Sequence, residues 1–197
     1  MPLWGATDAD ESKPKHLTTA QKKEVYAAAG GWTIEAGSTM TGNGNTSATP
    51  EVLVAIGSLT TSLGSADITE IEWITTAADK SAGFTLSVRA RFNEAVDVDT
   101  GSGTPYLAVT NGNQGSGTGR GPHNLAYASG TGTNELVFSL AIGAANAATN
   151  ADDVLVIGAN AMNLNSGTIK DAGTSTNATI TSAASIGTAA GSLTVTA

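Results

Sequence analysis

The sequence contains no cysteine, which excludes disulfide bridges and thiolate metal sites and leaves packing, or neighbours in an assembly, to hold the fold. Aromatic residues make up only 5% of the chain, a thin supply for a surface that grips sugars by stacking rings. Basic residues are scarce too: nine Lys and Arg against seventeen Asp and Glu give a net charge of -8, which repels phosphate and argues against nucleic-acid binding. The two histidines are His16 and His123, and neither has a sequence neighbourhood that supplies a nucleophile and an orienting group, so no enzyme is expected. No run approaches the roughly 18 apolar residues that would cross a bilayer, and residues 1–9 lack a basic patch followed by an apolar stretch. Neither a membrane anchor nor a cleaved leader is expected.

What is abundant is glycine, 24 residues, together with Thr, Ser, Asn and Ala, a composition that favours many short strands joined by tight turns. At 197 residues the chain has room for a β-sandwich and a small appendage, and its pattern divides it at 1–65 and 66–197. Residues 1–15 carry Pro2, Gly5, Pro14 and the acids Asp8, Asp10 and Glu11, which predicts an extended arm. Thr18 and Gln21 stand at capping-box spacing before the helix formers of 20–29, with Gly30 and Gly31 as a stop, and predict a short helix. Strands are expected at 32–36 and 51–59, on either side of a Gly-, Ser-, Thr- and Asn-rich stretch at 37–50.

The clearest pattern lies at 84–92, where Phe84, Leu86, Val88, Ala90 and Phe92 alternate with Thr85, Ser87, Arg89 and Arg91, a strand with one buried and one wet face. Further strands are predicted at 106–110, at 125–128 and 135–142 as a hairpin, and at 154–158, 178–181 and 193–196. Such spacing suggests a sandwich, and the glycine-rich link 111–122 reads as an exposed loop at one of its ends.

Among candidate sites, Trp4 stands out, because a tryptophan in a polar arm gains little unless something buries it: a partner's pocket, or the chain's own sandwich. Leu3 and Leu17 would be its apolar neighbours, and Lys13, Lys15, Lys22 and Lys23 would seat the arm on an acidic surface. Arg89 and Arg91 on the wet face either meet an acidic partner or keep that face soluble. Asp97 with Asp99, or Asp152 with Asp153, offers hard oxygens for calcium, but strand-end acids are more often solvated turn residues and no EF-hand spacing is present, so no metal is assigned. The run 115–121, GSGTGRG, lacks the Lys-Ser/Thr ending of a phosphate loop, and the sequons at Asn45 and Asn177 read as turn residues. No cofactor is implied.

Three ordered motifs carry a resemblance. Phe92, Glu94 and Val96 fill F-x-E-x-V, Gly103, Thr104 and Pro105 fill G-T-P, and Gly130, Gly132, Thr133, Asn134 and Leu136 fill G-x-G-T-N-x-L. A closing segment at 164–171 fits L-N-x-G-T-I-x-D. Over residues 68–181 the chain thus resembles bacterial and phage immunoglobulin-like domains, which implies an all-β, immunoglobulin-like β-sandwich behind the arm, short helix and small β module. The opening MPLWGATDADESKPKHLT, with TGNGNTSATPEVLVAIGSL, is similar to the start of virion structural proteins of tailed phages, particularly those of marine bacteria.

That second resemblance implies a non-enzymatic virion surface protein that docks on the capsid through its arm as a decoration or cement protein. Its expected partners are the major capsid protein or another virion protein, and further copies of itself in a homo-oligomer. Leu3, Trp4, Lys13, Lys15, Leu17, Arg89 and Arg91 are the expected partner-binding residues. The same features suit a tail or fibre structural subunit, or a host-glycan-binding adhesion module with its recognition loops at one sandwich end.

Overall fold

The computed structural model describes residues 14, 17–28, 31–41, 51–55, 65–112, 122–144, 149–172, 174 and 176–197. The rest of the expected arm at 1–15, most of the loop at 37–50 and the glycine-rich run at 115–121 lie outside them, as do Asn45 and residues 56–59 of an expected strand.

The protein is mostly β. Among the described residues twelve strands run in chain order: β1 (Val25–Ala28), β2 (Gly31–Ile34), β3 (Glu51–Ala55), β4 (Ile68–Trp73), β5 (Ala78–Asp79), β6 (Phe84–Asp99), β7 (Tyr106–Gly112), β8 (His123–Ser129), β9 (Thr133–Ile142), β10 (Val154–Asn163), β11 (Thr168–Asp171) and β12 (Ser192–Thr196). The described residues also form two short helices, α1 (Thr19–Lys23) and α2 (Ala184–Ala189), and a 3-10 turn at Thr39–Thr41.

β6 organises the main sheet. Its expected alternation holds, with Leu86, Val88, Ala90 and Phe92 all buried, and the strand runs on to Asp99. On one edge it pairs antiparallel with β9, setting Leu86 opposite Leu140, Val88 opposite Phe138 and Ala90 opposite Leu136. On its other edge β4 pairs with the first half of β6 and β11 with the second, and between them the register shifts around residues 92–95. From β9 the order continues through β8, β7, β10 and β12, with β5 added parallel to β12.

The resulting sheet is strongly curled around a single apolar cluster that includes Phe92, Leu107, Leu125, Phe138, Leu155 and Ile169. α2 packs on both β10 and β4, and the Trp73 indole N–H donates to the Gly191 carbonyl at 3.4 Å, so the two ends of the curl approach each other.

β1, β2 and β3 form a separate three-stranded antiparallel sheet. It has its own apolar cluster, Leu17, Val25, Trp32 and Ile34, against which Met40 and Leu53 pack. Among the described residues it joins the main sheet through one parallel backbone pairing, Ala27 with Glu94 of β6.

Several elements differ from expectation. The predicted helix at 20–29 is five residues long and gives way to β1; the capping box forms, but helix propensity alone cannot sustain so short a segment when Val25 can enter a strand and bury itself to 1% exposure. Residues 178–181 make no strand, and that region contributes only isolated bridges at Asn177 and Thr179. β5, β11 and α2 were not anticipated, being two, four and six residues long, too short for periodicity to register. Among the described residues, no helix is long and apolar enough to cross a membrane.

Candidate functional site

The most concentrated chemistry lies where the small sheet meets the large one, and strand register builds it. Alternation places Arg89 and Arg91 on the face of β6 opposite Val88 and Ala90. β4 sets Glu70 beside Arg91 and Glu72 beside Arg89, and β9 sets Glu135 on the other side of Arg91. Three neighbouring strands therefore present a row Glu70, Arg91, Glu135, the opposite-charge cross-strand pairing that favours this register over a slipped one.

The side chains close these pairs. Arg91 Nε lies 2.6 Å from Glu135 Oε1, and its two terminal nitrogens reach Glu70 at 3.4 Å, Glu72 at 3.5 Å and Glu35 at 3.4 Å. Arg89 Nη1 donates to both Glu135 oxygens at 3.1 Å, while its Nε stands 3.0 Å from Glu72 Oε1 without the alignment of a hydrogen bond. Two contributions come from the small sheet's side. Lys23, in the last turn of α1, pairs with Glu70, and Glu35, directly after β2, meets Arg91.

Glu35 is held in place by its own backbone, whose N–H donates to the Glu24 carbonyl at 3.0 Å. The Glu24 carboxylate in turn accepts from the Ser38 hydroxyl at 2.5 Å and the Thr39 N–H at 3.1 Å, fixing the turn after β2.

The side chains of Arg91 and Glu35 are only 13% and 12% exposed, so water screens this cluster far less than a surface pair. Four carboxylates, Glu35, Glu70, Glu72 and Glu135, face three cations, Lys23, Arg89 and Arg91. One acid is in excess, and burial, then the negative charge of Glu135, push the Glu35 pKa from 4.5 up to about 7 against the opposing pull of Arg91. Burial pulls Arg91 down, but Glu35, Glu135 and Glu72 together raise it above its ordinary value. Tyr26 is raised by burial and then by Glu35. A cleft of about 230 Å³ lined by Tyr26, Glu35, Arg89, Asn134 and Glu135 opens beside the cluster.

Of the expected partner-binding residues, Leu3, Trp4, Lys13 and Lys15 lie outside the described residues. Leu17 is buried in the small sheet's cluster. Arg89 and Arg91 come together, and the acids that meet them belong to the same chain. Sequence reasoning missed Glu35, Glu70, Glu72 and Glu135. The signal available was Glu70-Ile71-Glu72, an acid alternation matching Arg89-Ala90-Arg91, which becomes legible only once β4 is known to pair with β6.

A second polar group lies at the far side of the main sheet. His123, expected in a loop and without a partner, instead opens β8, is buried, and has its Nε2 3.0 Å from the Thr149 hydroxyl. Nearby, Asp153 accepts from Asn111 Nδ2 at 3.0 Å and from the Asn150 N–H at 2.8 Å. Burial lowers the His123 pKa below its ordinary value, against an opposing pull from Asp153.

The other acids considered for calcium are dispersed. Asp97, Asp99 and Asp152 are exposed, and Asp99 accepts from the Gly101 N–H at 2.8 Å. Among the described residues, no three His, Asp or Glu side chains gather as a metal site. Neither a protein-family model, nor a curated protein, nor a solved structure matches the chain.

Proposed function

We propose that this chain is a non-enzymatic structural protein of a tailed-phage particle, docked on the capsid surface as a decoration or cement protein through its N-terminal residues. The observation that carries this reading is the charged junction between the small sheet and the main sheet. A docking arm retains a body on a lattice only if the segment that follows it is fixed to that body. Here Lys23 and Glu35, close after the arm in sequence, are tied to the main sheet by ion pairs, Lys23 to Glu70 of β4 at the surface and Glu35 to Arg91 of β6 at low exposure. Leu17 is buried in the same small module, so this member of the proposed docking set is anchored where the chain enters that module.

The finer fold reading, immunoglobulin-like, is supported by strand order. β7, β8 and β9 are successive antiparallel neighbours, and β6 lies beside β9 while its chain crosses to β7, which is a Greek-key order. The motifs that carried the resemblance also meet in space. Gly103 of G-T-P approaches Asn165 of the closing motif so closely that a Cβ there would stand 1.9 Å from its carbonyl oxygen.

In this reading the mechanism is binding energy multiplied by repetition. Trp4, with Leu3, fills an apolar pocket on the capsid or another virion protein, and Lys13 and Lys15 seat the arm on acidic surface. Side-by-side copies then raise the effective concentration for each further contact. The test is addition of the purified full chain and its Trp4→Ala variant to particles lacking the protein. Wild type is expected to co-sediment with the particles and the variant to be retained at least about tenfold less; equal retention of both removes Trp4 from the mechanism.

A further inference from the structure

The cleft beside the junction is walled by both sheets. β1 contributes Tyr26, the turn after β2 contributes Glu35, β6 contributes Arg89, and β9 contributes Asn134 and Glu135. Its volume of about 230 Å³ lies below the roughly 300–1,000 Å³ of sites that take drug-sized molecules, so it has room for one small ring. Three of its residues hold a buried side-chain atom with no hydrogen-bond partner among the described residues: Glu35 Oε2, Arg89 Nε and Asn134 Nδ2. Asn134 is the most enclosed of them, at 2% exposure. Buried polar atoms are ordinarily hydrogen-bonded, so three unbonded ones around one cleft point to a molecule that bonds them there.

The contacts already made in the wall select the class of that molecule. Arg89 Nη1 donates to both Glu135 oxygens at 3.1 Å, Arg91 Nε lies 2.6 Å from Glu135 Oε1, and Glu35 meets Arg91 through Oε1 at 3.4 Å. A cation or an anion entering the cleft competes with these pairs and gains little. What is left over is one acceptor, Glu35 Oε2, and two N–H donors, Arg89 Nε and Asn134 Nδ2. A hydroxyl donates and accepts at once, so a ring carrying several of them matches a wall that offers both, and it brings no charge. The half-buried Tyr26 supplies an aromatic surface for the apolar face of such a ring, and a single ring suffices in a chain poor in aromatics.

We propose that this cleft binds one pyranose unit of a carbohydrate, packed on Tyr26 and hydrogen-bonded by Glu35, Arg89 and Asn134. The site is distinct from the loops at a sandwich end that the sequence suggested for glycan recognition, being built from strands of two sheets. A free sugar and the end of a glycan present the same ring, and they differ at the anomeric position. The inference stands on the cleft itself and is independent of the particle reading.

The experiment is an amide NMR titration of the full chain with glucose, galactose, mannose and N-acetylglucosamine, each as the free sugar and as its methyl glycoside. At least one of them is expected to shift the signals of Tyr26, Glu35 and Asn134 saturably, with a Kd of about 1–10 mM. Binding of the methyl glycoside as tight as that of the free sugar identifies a glycan end as the source, and binding of the free sugar alone identifies a monosaccharide. Tyr26→Ala is expected to weaken binding at least about tenfold. No saturable shift at these residues with any of the sugars overturns the proposal, and so does unchanged affinity in Tyr26→Ala. Methylammonium and acetate, run alongside, are expected to leave these signals in place; saturation by either in preference to the sugars also overturns it. The wild-type titrations keep the proposal falsifiable should Tyr26→Ala fail to fold.

Discussion

Arg91 Nε and Glu135 Oε1 stand 2.6 Å apart across two central strands, and the same guanidinium reaches Glu35, Glu70 and Glu72. One side chain therefore links β4, β6, β9 and the end of β2. Arginine suits this position because its planar fork presents donors in several directions at once, which a lysine cannot reproduce.

Removing Arg91 strands its acids in a poorly solvated place. Arg91→Ala is expected to lower stability by about 3 kcal/mol, and Arg91→Lys to recover only part of that loss. Urea denaturation of the three proteins checks this; a loss within the ~0.5 kcal/mol of an ordinary surface substitution would mean the cluster contributes little to the fold.

Stability below and around neutrality should depend on two groups of low exposure that titrate in opposite senses. Glu35 has its pKa raised from 4.5 to about 7, so its contribution is complete below pH 4.5 and is lost as pH rises through 7. His123 is lowered from 6.5, so its contribution is complete above pH 6.5 and is lost as pH falls further. Denaturation midpoints measured from pH 5 to 8.5 are expected to decline between pH 6.5 and about 7 in wild type and then level off, and to show no such decline in Glu35→Gln. Below pH 6.5 the midpoint of His123→Gln is expected to rise more steeply than that of wild type as pH falls, because the opposing histidine titration is gone.

Gly130 opens the turn between β8 and β9 with φ of +114°, and a Cβ at that position would meet the Glu135 carbonyl oxygen at 1.9 Å. Gly130→Ala is expected to cost about 2–4 kcal/mol, since strain and steric contact add. Because Glu135 lies on the strand this turn feeds, the substitution should also disturb the Arg89 and Arg91 pairs; thermal melts with and without high salt separate the two effects. A loss that vanishes in high salt would show that the turn geometry itself tolerates a side chain.

Much of the main sheet was legible, because strands of seven or more residues with one buried face print a period of two on the sequence. β6, β7, β8, β9 and the start of β10 are of this kind, and Val88, Phe138 and Leu155 fall on the buried side. β1 was misread because Val25 and Tyr26 follow a true capping box, and the local helix signal extended past the point where pairing with Trp32 and Thr33 overrides it. The candidate site was half legible. Arg89 and Arg91 were visible by alternation, but their acids lie 17 to 56 residues away along the chain, and only strand pairing brings them together. His123 was misplaced because the glycine-rich run before it looks the same whether the strand begins early or late.

We propose that this chain is carried by a virus particle in many copies. Quantitative mass spectrometry of purified particles, relative to the major capsid protein, tests it directly. Capsid-like abundance is expected of a decoration protein; a few copies per particle would move the protein to the tail or a fibre, and absence from purified particles would overturn the virion role altogether.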